Sequence, residues 1–363
     1  MKETNVIGIY PIIGEVKDQI KYQVAAGTII NDGLEYHLKE TDTLSREELD
    51  PFLKDYKRAK ICGVFPNNLV FPRYVKLPPV SQDKLMKIIE YESEQNIPFP
   101  LEEVLWNYKL IEGNSNELSV LLAATKKENR NILFPELNLD VLYEPSDAIV
   151  RLYSQRLKEK CEGSDKNVAI LYADARQTSL TFANSQGIGF SRCVPVSIYN
   201  EGMIDREVQS GINNGEEIDK SEMRNKIINN MGIRLKAEIN RSINFYRSQQ
   251  GKELTEIWTP HQELVEILDD NISGYPFSFA DGLEEFSNGP FSKSSKSHIQ
   301  AASAIKAHPN GIDLLGREKR TGYDIQKGIG SFIFGVGYVL AIPGRLLAAP
   351  GDVLMGAGKE LSK

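Results

Sequence analysis

The sequence VFPRYVKLPPVSQDKLMKIIEYESEQNIPFPLEEVLWNYKL occupies residues 70–110 and predicts a strand, a helix and a second strand in succession. The first strand, at 73–80, ends at a proline pair, because proline cannot donate to a strand ladder. Ser81 is a candidate cap for the helix, and Pro98 ends it, since the residue before a proline is disfavoured in helical conformation. Apolar residues at every second position around Trp106 predict a strand with one buried face. The stretch therefore predicts a small α/β unit.

The composition indicates a folded protein of more than one domain. The chain has 363 residues, of which 41% are hydrophobic, so it can build cores in two or more domains. The net charge of −7 argues against nucleic acid as a partner, because nucleic-acid binding needs a basic face. The three cysteines fit neither a zinc spacing nor a disulfide framework, so we expect a reducing compartment. The opening residues do not have the pattern of a secretory signal peptide.

The residues on either side of 70–110 continue the alternation of strands and helices. Ser45, with Glu48 three residues later, forms a capping-box pattern and predicts a helix at 45–57. Asn31-Asp32-Gly33 is a turn signal of the hairpin type. A further helix is predicted to begin at Glu144. The predicted strands of this half are 6–13, 22–30, 59–65 and 118–124.

A second set of elements follows a boundary predicted at 162–165. Apolar residues at helical spacing predict a helix over 235–246, closed by Gly251. By contrast, 200–228 is polar and poorly patterned, and it predicts short helices and loops. The stretch 287–297 is rich in Ser, Gly and Lys and predicts a mobile loop. The remaining predicted strands are 168–173, 179–183, 187–194 and 254–258, and the remaining helices are 262–268 and 298–307.

Three separate stretches carry a resemblance to a known family. Leu139-Asp140-Val141 resembles the return from an inserted subdomain, and Glu-Ile-Asn-Arg-Ser-Ile-Asn-Phe-Tyr at 238–246 is similar to a helix of the second lobe. Within 70–110 the matching residues are Arg73, Lys-Leu-Pro at 76–78, Tyr-Glu at 91–92, Ile-Pro-Phe at 97–99 and Trp-Asn-Tyr at 106–108. Together, and in this order, they resemble the PilM family of type IV pilus assembly proteins.

The resemblance implies an actin-like (ASKHA) α/β fold of two lobes. The first lobe is expected at 1–160, with an inserted α/β subdomain at about 38–140, the second lobe at 161–309, and a tail at 310–363. The family, which is related to the cytoplasmic domain of the type II secretion protein GspL, implies a cytoplasmic platform peripheral to the inner membrane. The implied partner is the N-terminal peptide of an inner-membrane subunit resembling PilN, and self-association stays open.

The resemblance also implies a nucleotide cleft between the lobes, where two hairpins and a third turn hold Mg·ATP. Asp174 and Thr178 are the candidate phosphate-binding residues of the second hairpin, although a solvated turn residue is the favoured interpretation of Asp174. The amides of such hairpins form an anion-binding nest, and glycine lets the backbone approach the phosphates.

All three phosphate-binding elements depart from the family pattern. Ala175 and Arg176 stand where a glycine and a small residue are usual. In the first hairpin, near 8–17, Pro11 lacks an N–H donor, and the third turn, at 259–262, has no glycine. We therefore expect a non-hydrolysing protein with no catalytic residues and no cofactor, and ATP with Mg²⁺ is the alternative.

Other side chains do not predict a chemical site. The four histidines lack the spacing of metal ligands, so no metal site is predicted. The serines of the second half lack the Gly-x-Ser-x-Gly context of a nucleophile.

The sequence Asn-Gly-Ile-Asp-Leu-Leu-Gly-Arg at 310–317 resembles a motif of the PilN partner itself. That motif is Ile-Asn-Leu-Leu-Pro followed by Arg, so here Asp313 and Gly316 replace Asn and Pro. Three interpretations stay open at this point: docking in cis in the partner groove, a relic of a gene fusion, or simple packing against the last helix.

Residues 328–349 are apolar and rich in glycine and predict contact with a membrane surface. The uncharged run 328–342 falls short of the ~20 residues that a spanning helix needs. A span that extends through Ala349, with Arg345 reaching back to the interface, is one alternative. A tail packed on the second lobe is another.

Residue-level partner contacts are predicted on the inserted subdomain. Arg73, Tyr91 and Trp106 are the candidates, and packing within the subdomain is the favoured interpretation of each. Two other functions stay open: an active actin-like ATPase of the same machine, and a membrane-bound filament protein similar to FtsA.

Overall fold

The computed structural model describes residues 3–13, 20–31, 35–114, 117–161, 166–213, 219–250, 253–286, 298–308 and 310–316. All of these residues belong to one structural unit. The predictions for residues 14–17 of the first hairpin, for most of the 31–33 turn, and for Gly251, 287–297 and 328–349 fall outside the described residues.

The described residues form strands and helices in alternation. The strands are β1 (Glu3–Ile13), β2 (Ile20–Ile30), β3 (Glu35–Leu44), β4 (Lys60–Val64), β5 (Phe71–Leu77), β6 (Val104–Asn114), β7 (Glu117–Lys126), β8 (Val141–Tyr143), β9 (Lys166–Ala173), β10 (Thr178–Asn184), β11 (Gly187–Val194), β12 (Glu253–Thr259), β13 (Asn271–Ile272) and β14 (Tyr275–Phe279). The helices are α1 (Arg46–Asp55), α2 (Gln82–Asn96), α3 (Lys127–Leu133), α4 (Pro145–Leu152), α5 (Ser154–Cys161), α6 (Glu201–Asn213), α7 (Lys220–Gln250), α8 (Gln262–Leu268) and α9 (Ile299–Ala307).

Two large sheets repeat one arrangement of strands. The first sheet has the order β3-β2-β1-β4-β8, and the second has the order β11-β10-β9-β12-β14-β13. In each, a strand pairs antiparallel with its hairpin partner on one side, as β1 with β2 and β9 with β10. On the other side the same strand pairs parallel with a later strand, as β1 with β4 and β9 with β12. The chain thus builds the same sheet twice, which is the two-lobed pattern that the sequence predicts.

Helix α9 covers β1 and β2 at very short range. Gly8 lies in β1 under this helix, and a Cβ atom built on it would stand 1.8 Å from the carbonyl oxygen of Ala301. No other residue fits there, because any side chain would overlap that backbone. A Cβ atom built on Gly27 of β2 would stand 2.8 Å from Cδ1 of Ile305. The last helix is therefore seated directly on the backbone of the first sheet.

The small sheet, β5-β7-β6, is inserted between two strands of the first sheet. Its core holds Leu85 and Ile89 of α2 against Trp106 of β6. Ser81 precedes α2, but its side chain makes no capping hydrogen bond, so that prediction is wrong. Its backbone carbonyl accepts instead from the amides of Lys84 and Leu85. Most of β3 and all of β4 lie within the predicted insert at 38–140, yet both strands pair within the first sheet. The domain bounds stay a prediction.

The prediction of short helices and loops over 200–228 is wrong. The structure has α6 and then α7, which runs for 31 residues from Lys220. The buried residues Met223, Ile227 and Met231 extend the apolar stripe of 235–246 toward the N-terminus at a spacing of four. Polar residues between them hid this period in the sequence.

Candidate functional site

The three predicted nucleotide-binding elements meet at one cavity of about 740 Å³, which we call the cleft. The end of β1 contributes Tyr10–Ile13, the turn after β9 contributes Asp174–Arg176, and the turn before α8 contributes Pro260–Glu263. Sequence position thus predicted correctly which stretches come together, and the chemistry of each stretch decides what the cleft can bind.

The turn between β9 and β10 is closed by its own aspartate. One carboxylate oxygen of Asp174 accepts from the backbone amides of Arg176 at 2.8 Å and Gln177 at 3.0 Å. The amide of Asp174 in turn donates to the carbonyl of Gln177 at 2.9 Å. Burial raises the pKa of the Asp174 carboxyl, and the two amide bonds partly offset that effect. The amides of Asp174, Arg176 and Gln177 are therefore already hydrogen-bonded within the turn.

Thr178 has a structural position rather than one on the cleft wall. Its side chain is buried, and its hydroxyl donates to the carbonyl of Val196 at 2.7 Å. Asp174 does line the cleft, so only one of the two predicted phosphate ligands faces the cavity. The assignment of Thr178 to a phosphate was a sequence prediction, and this geometry does not support it.

The third turn presents an aromatic wall. The ring of His261 lies 5.1 Å from that of Tyr172 and 5.4 Å from that of Tyr199. Burial lowers the pKa of His261 to about 4, so its imidazole is neutral at physiological pH. Its Nε2 atom, and Oε1 of Gln23 across the cavity, are buried without a hydrogen-bond partner. Such a wall suits a neutral ring with hydrogen-bonding edges better than a row of phosphates.

A second site lies at the free edge of β8, where residues 310–316 are seated; we call these residues the docked segment. Tyr143 and Asp313 form an antiparallel bridge. The amide of Leu314 donates to the carbonyl of Leu142 at 2.7 Å, and the amide of Glu144 donates to the carbonyl of Ile312 at 3.0 Å. The structure thus places residues 310–316 at this edge, with a further backbone bond from Gly311 to Ala307 of α9. That this edge is the partner groove stays a prediction.

Side chains from two other elements complete this groove. Asn107 of β6 donates from its side-chain amide to the carbonyl of Asp313 at 2.6 Å. From α4, Asp147 accepts from the amide of Ile312 at 2.9 Å. The apolar side chains of Ile312, Leu314 and Leu315 are all buried. The groove thus lies between β8, α4 and the inserted small sheet.

Buried charges hold the floor of the groove. The fully buried Asp147 carboxylate bonds to the ammonium of Lys109 and, at 3.1 Å, to Nε of Arg151. Burial opposes its ionisation, but the two cations outweigh burial and lower the pKa of Asp147 to about 2. At the neighbouring Glu144, burial outweighs the hydrogen bond from the amide of Asp147 and raises the pKa to about 7.

The predicted partner residues lie elsewhere on the small sheet and its helix. Arg73 is exposed, with its guanidinium 4.5 Å from the ring of Phe71, and Tyr91 on α2 is 61% exposed. Trp106 is buried in the core of the small sheet. The residue that does reach the docked segment is its neighbour Asn107, on the opposite face of the strand. A buried asparagine in an apolar strand was the available signal, because unpaired polar groups are rarely buried.

No family model matches this sequence, and no curated protein matches it. Solved structures do. The PilM–PilN type IV pilus biogenesis complex is similar over 83% of this chain and 96% of that one, with 17% identity and a TM-score of 0.61. The cytoplasmic domain of EpsL, an inner-membrane component of the type II secretion system of Vibrio cholerae, covers 86% of this chain and 98% of its own, at 10% identity and a TM-score of 0.41. A Bacteroides thetaiotaomicron protein with an actin-like ATPase fold covers 62% of this chain and 87% of its own, at 10% identity and a TM-score of 0.30.

The first of these comparisons, together with the repeated sheets, confirms the predicted fold. The chain has the two-lobed, actin-like α/β fold of the PilM structure, with a small α/β insertion in its first sheet.

Proposed function

We propose that this chain is a non-hydrolysing actin-like scaffold, a cytoplasmic platform for the inner-membrane assembly of a type IV pilus or a type II secretion machine. Its partner is the N-terminal peptide of an inner-membrane subunit resembling PilN. Similarity in fold to the PilM chain of the PilM–PilN complex supports this proposal. The groove at β8, which already holds an extended segment, supports the peptide as the form of the ligand.

The proposal that the chain does not hydrolyse ATP is supported mainly by the closed turn after β9. The amides of Arg176 and Gln177 are hydrogen-bonded to Asp174, so they do not form an anion nest. Each charge-assisted hydrogen bond that is lost removes about 1.5–3 kcal/mol of phosphate binding. Pro11 supplies no amide on the opposite wall, and Glu263 adds negative charge to the lining.

The proposed location is the cytoplasmic face of the inner membrane. In the part of the chain that the structure describes, no helix combines the length and the apolar character needed to cross a membrane. Contact with the membrane surface is proposed for 328–349 from sequence alone. Nucleic acid is not proposed as a partner, since the net charge is −7.

Calorimetry with Mg·ATP and an assay of phosphate release test this function together with peptide binding. We expect no turnover and no micromolar binding of ATP, but saturable binding of the N-terminal peptide of an inner-membrane subunit resembling PilN. Micromolar ATP affinity with turnover would instead identify an active ATPase. Polymers on lipid vesicles under the electron microscope would identify a filament protein similar to FtsA.

A further inference from the structure

We propose that the docked segment is a displaceable, built-in occupant of the groove, which competes with a partner peptide for the same seat. The peptide it competes with is extended and carries an apolar residue, then Asp or Asn, then two apolar residues. The inference rests on the proposed function only for the identity of the partner. The seat itself is argued from the contacts of this chain.

The first argument comes from the backbone. Strand β8 is the last strand of the first sheet, so without the docked segment its outer edge has no partner among the described strands. The carbonyl of Leu142 and the amide of Glu144 bond to main-chain groups of the segment. Main-chain pairing does not depend on side chains, so any extended peptide in the same register can replace these bonds. A bare edge of this kind is costly or prone to unwanted pairing, which favours permanent occupation by one chain or another.

The second argument concerns Asp313, the side chain of the docked segment that accepts hydrogen bonds. A single oxygen of Asp313, Oδ1, accepts from the amide of Leu142 and from the amide of Leu315, each at 3.0 Å. An asparagine presents the same oxygen in the same place, whereas an apolar residue presents none. The amide of Leu142 therefore selects Asp or Asn at this position without distinguishing between them, and the bond from Leu315 within the segment favours the same two residues.

The third argument explains why exchange is cheap. A vacated groove would leave the amide and carbonyl of Leu142, the amide of Glu144 and the side chain of Asn107 without partners. A second peptide of the same pattern restores each bond like for like, so displacement carries little net cost. The tethered segment has an effective concentration in the millimolar range, so it weakens the apparent binding of any competitor.

The connection to α9 supplies an independent way to release the segment. Gly311 packs on the ring of Tyr143, and a Cβ atom there would stand 2.6 Å from Cδ1 of that ring. Its amide donates to the carbonyl of Ala307. A side chain at 311 thus disturbs the cis occupant, while a peptide that begins at the position of Ile312 does not meet this restriction.

The test uses a fluorescein-labelled synthetic peptide with the sequence of residues 310–317 and measures anisotropy with the full chain. Asp313→Leu and Gly311→Val release the cis occupant by different routes, and Asp313→Asn is the matched control. We expect the peptide to bind both released variants at least about tenfold more tightly than it binds wild type or Asp313→Asn. A probe with Asn in place of Asp should bind equally well, and a probe with Leu there about tenfold more weakly.

Equal affinity for wild type and the released variants would overturn the proposal, as would absence of binding to folded released variants. If both released variants fail to fold, amide exchange in the wild-type chain decides. The amide of Leu314 should then exchange by local opening, much faster than the amide of Ile7 in the sheet core. Equal protection would show that the segment is a fixed part of the fold.

These outcomes separate the inference from the proposed function. The probe is the chain's own sequence, so its binding does not depend on ATP or on any membrane subunit. If the probe binds the released variants but a peptide of the membrane subunit does not, the proposed partner is refuted. The proposal of a displaceable occupant is then still supported.

Discussion

The cleft and the groove differ in how completely their polar groups are partnered. On the cleft wall, Oε1 of Gln23 and Nε2 of His261 are buried without hydrogen bonds, and Asp174 is occupied by its own turn. In the groove, the buried polar side chains of Asn107 and Asp147 both bond to the docked segment. The two sites therefore differ in chemistry, because the cleft has buried polar groups without partners whereas the groove has its buried polar groups bonded to the docked segment. The next four predictions test this contrast.

The largest expected effect is on the buried charge of the groove. Asp147→Ala leaves the ammonium of Lys109 and the guanidinium of Arg151 without their shared counter-ion, which should cost about 3–5 kcal/mol of unfolding free energy. Urea denaturation measures this loss. The control is Asp205→Ala, which removes an exposed partner of Arg224 and should cost no more than about 1 kcal/mol. Similar losses of unfolding free energy in both variants would contradict this prediction.

The next effect depends on pH. Burial raises the pKa of Glu144 from 4.5 to about 7, so the folded state binds this proton more tightly than the unfolded state. The contribution of Glu144 to stability is therefore lost as the pH rises through that window, by up to about 3 kcal/mol. Glu144→Gln is neutral throughout and should gain stability relative to wild type between pH 5 and pH 8. Denaturation at pH 5 and pH 8 measures the gain in unfolding free energy. The control is Glu94→Gln at an exposed position. A gain that does not change with pH would contradict the prediction.

A smaller effect is expected at the aspartate of the docked segment. Asp313→Leu leaves the amide of Leu142 without its acceptor and should lower the unfolding free energy by about 1–3 kcal/mol. Asp313→Asn keeps the acceptor oxygen and should stay within about 0.5 kcal/mol of wild type. Thermal and urea unfolding of the pair measure the difference. An equally large loss in Asp313→Asn would show that the negative charge, rather than the oxygen, is what the groove needs.

The smallest expected effect is on the cleft. Saturating Mg·ATP should shift the melting temperature by less than about 1 °C, because a ligand stabilises only to the extent that it binds the folded state. The same peptide used to probe the groove provides the positive control in a released variant. A shift of several degrees with ATP would mean that the turn at Asp174 opens to accept phosphate.

Local signals in the sequence predicted much of the fold. The capping box of Ser45 and Glu48 is present, with both of its hydrogen bonds, because it depends on residues three apart. The strands predicted at 168–173, 179–183 and 187–194 are present as β9, β10 and β11, and they pair as two hairpins. Helix α7 was missed over its first turns because its buried residues are separated by polar ones.

The groove could not be derived from sequence in the same way. Its polar contacts join residues that are far apart in the chain, such as Asn107 with Asp313, 206 positions later. No local period predicts such a pair. The motif at 310–317 could be singled out by resemblance, but its seat depends on how β8 ends the first sheet, which is a property of topology. Likewise, the positions of the three stretches in the sequence predicted the walls of the cleft. They did not predict that Asp174 would bond to its own turn.

The close fit of α9 on β1 has a structural consequence. The carbonyl of Ala301 fills the space where Gly8 lacks a side chain, so α9 and β1 are closely packed at this point. The same strand lines the cleft two residues later at Tyr10, and the same helix leads into the docked segment. Strand β1 and helix α9 thus connect the wall of the cleft with the start of the docked segment.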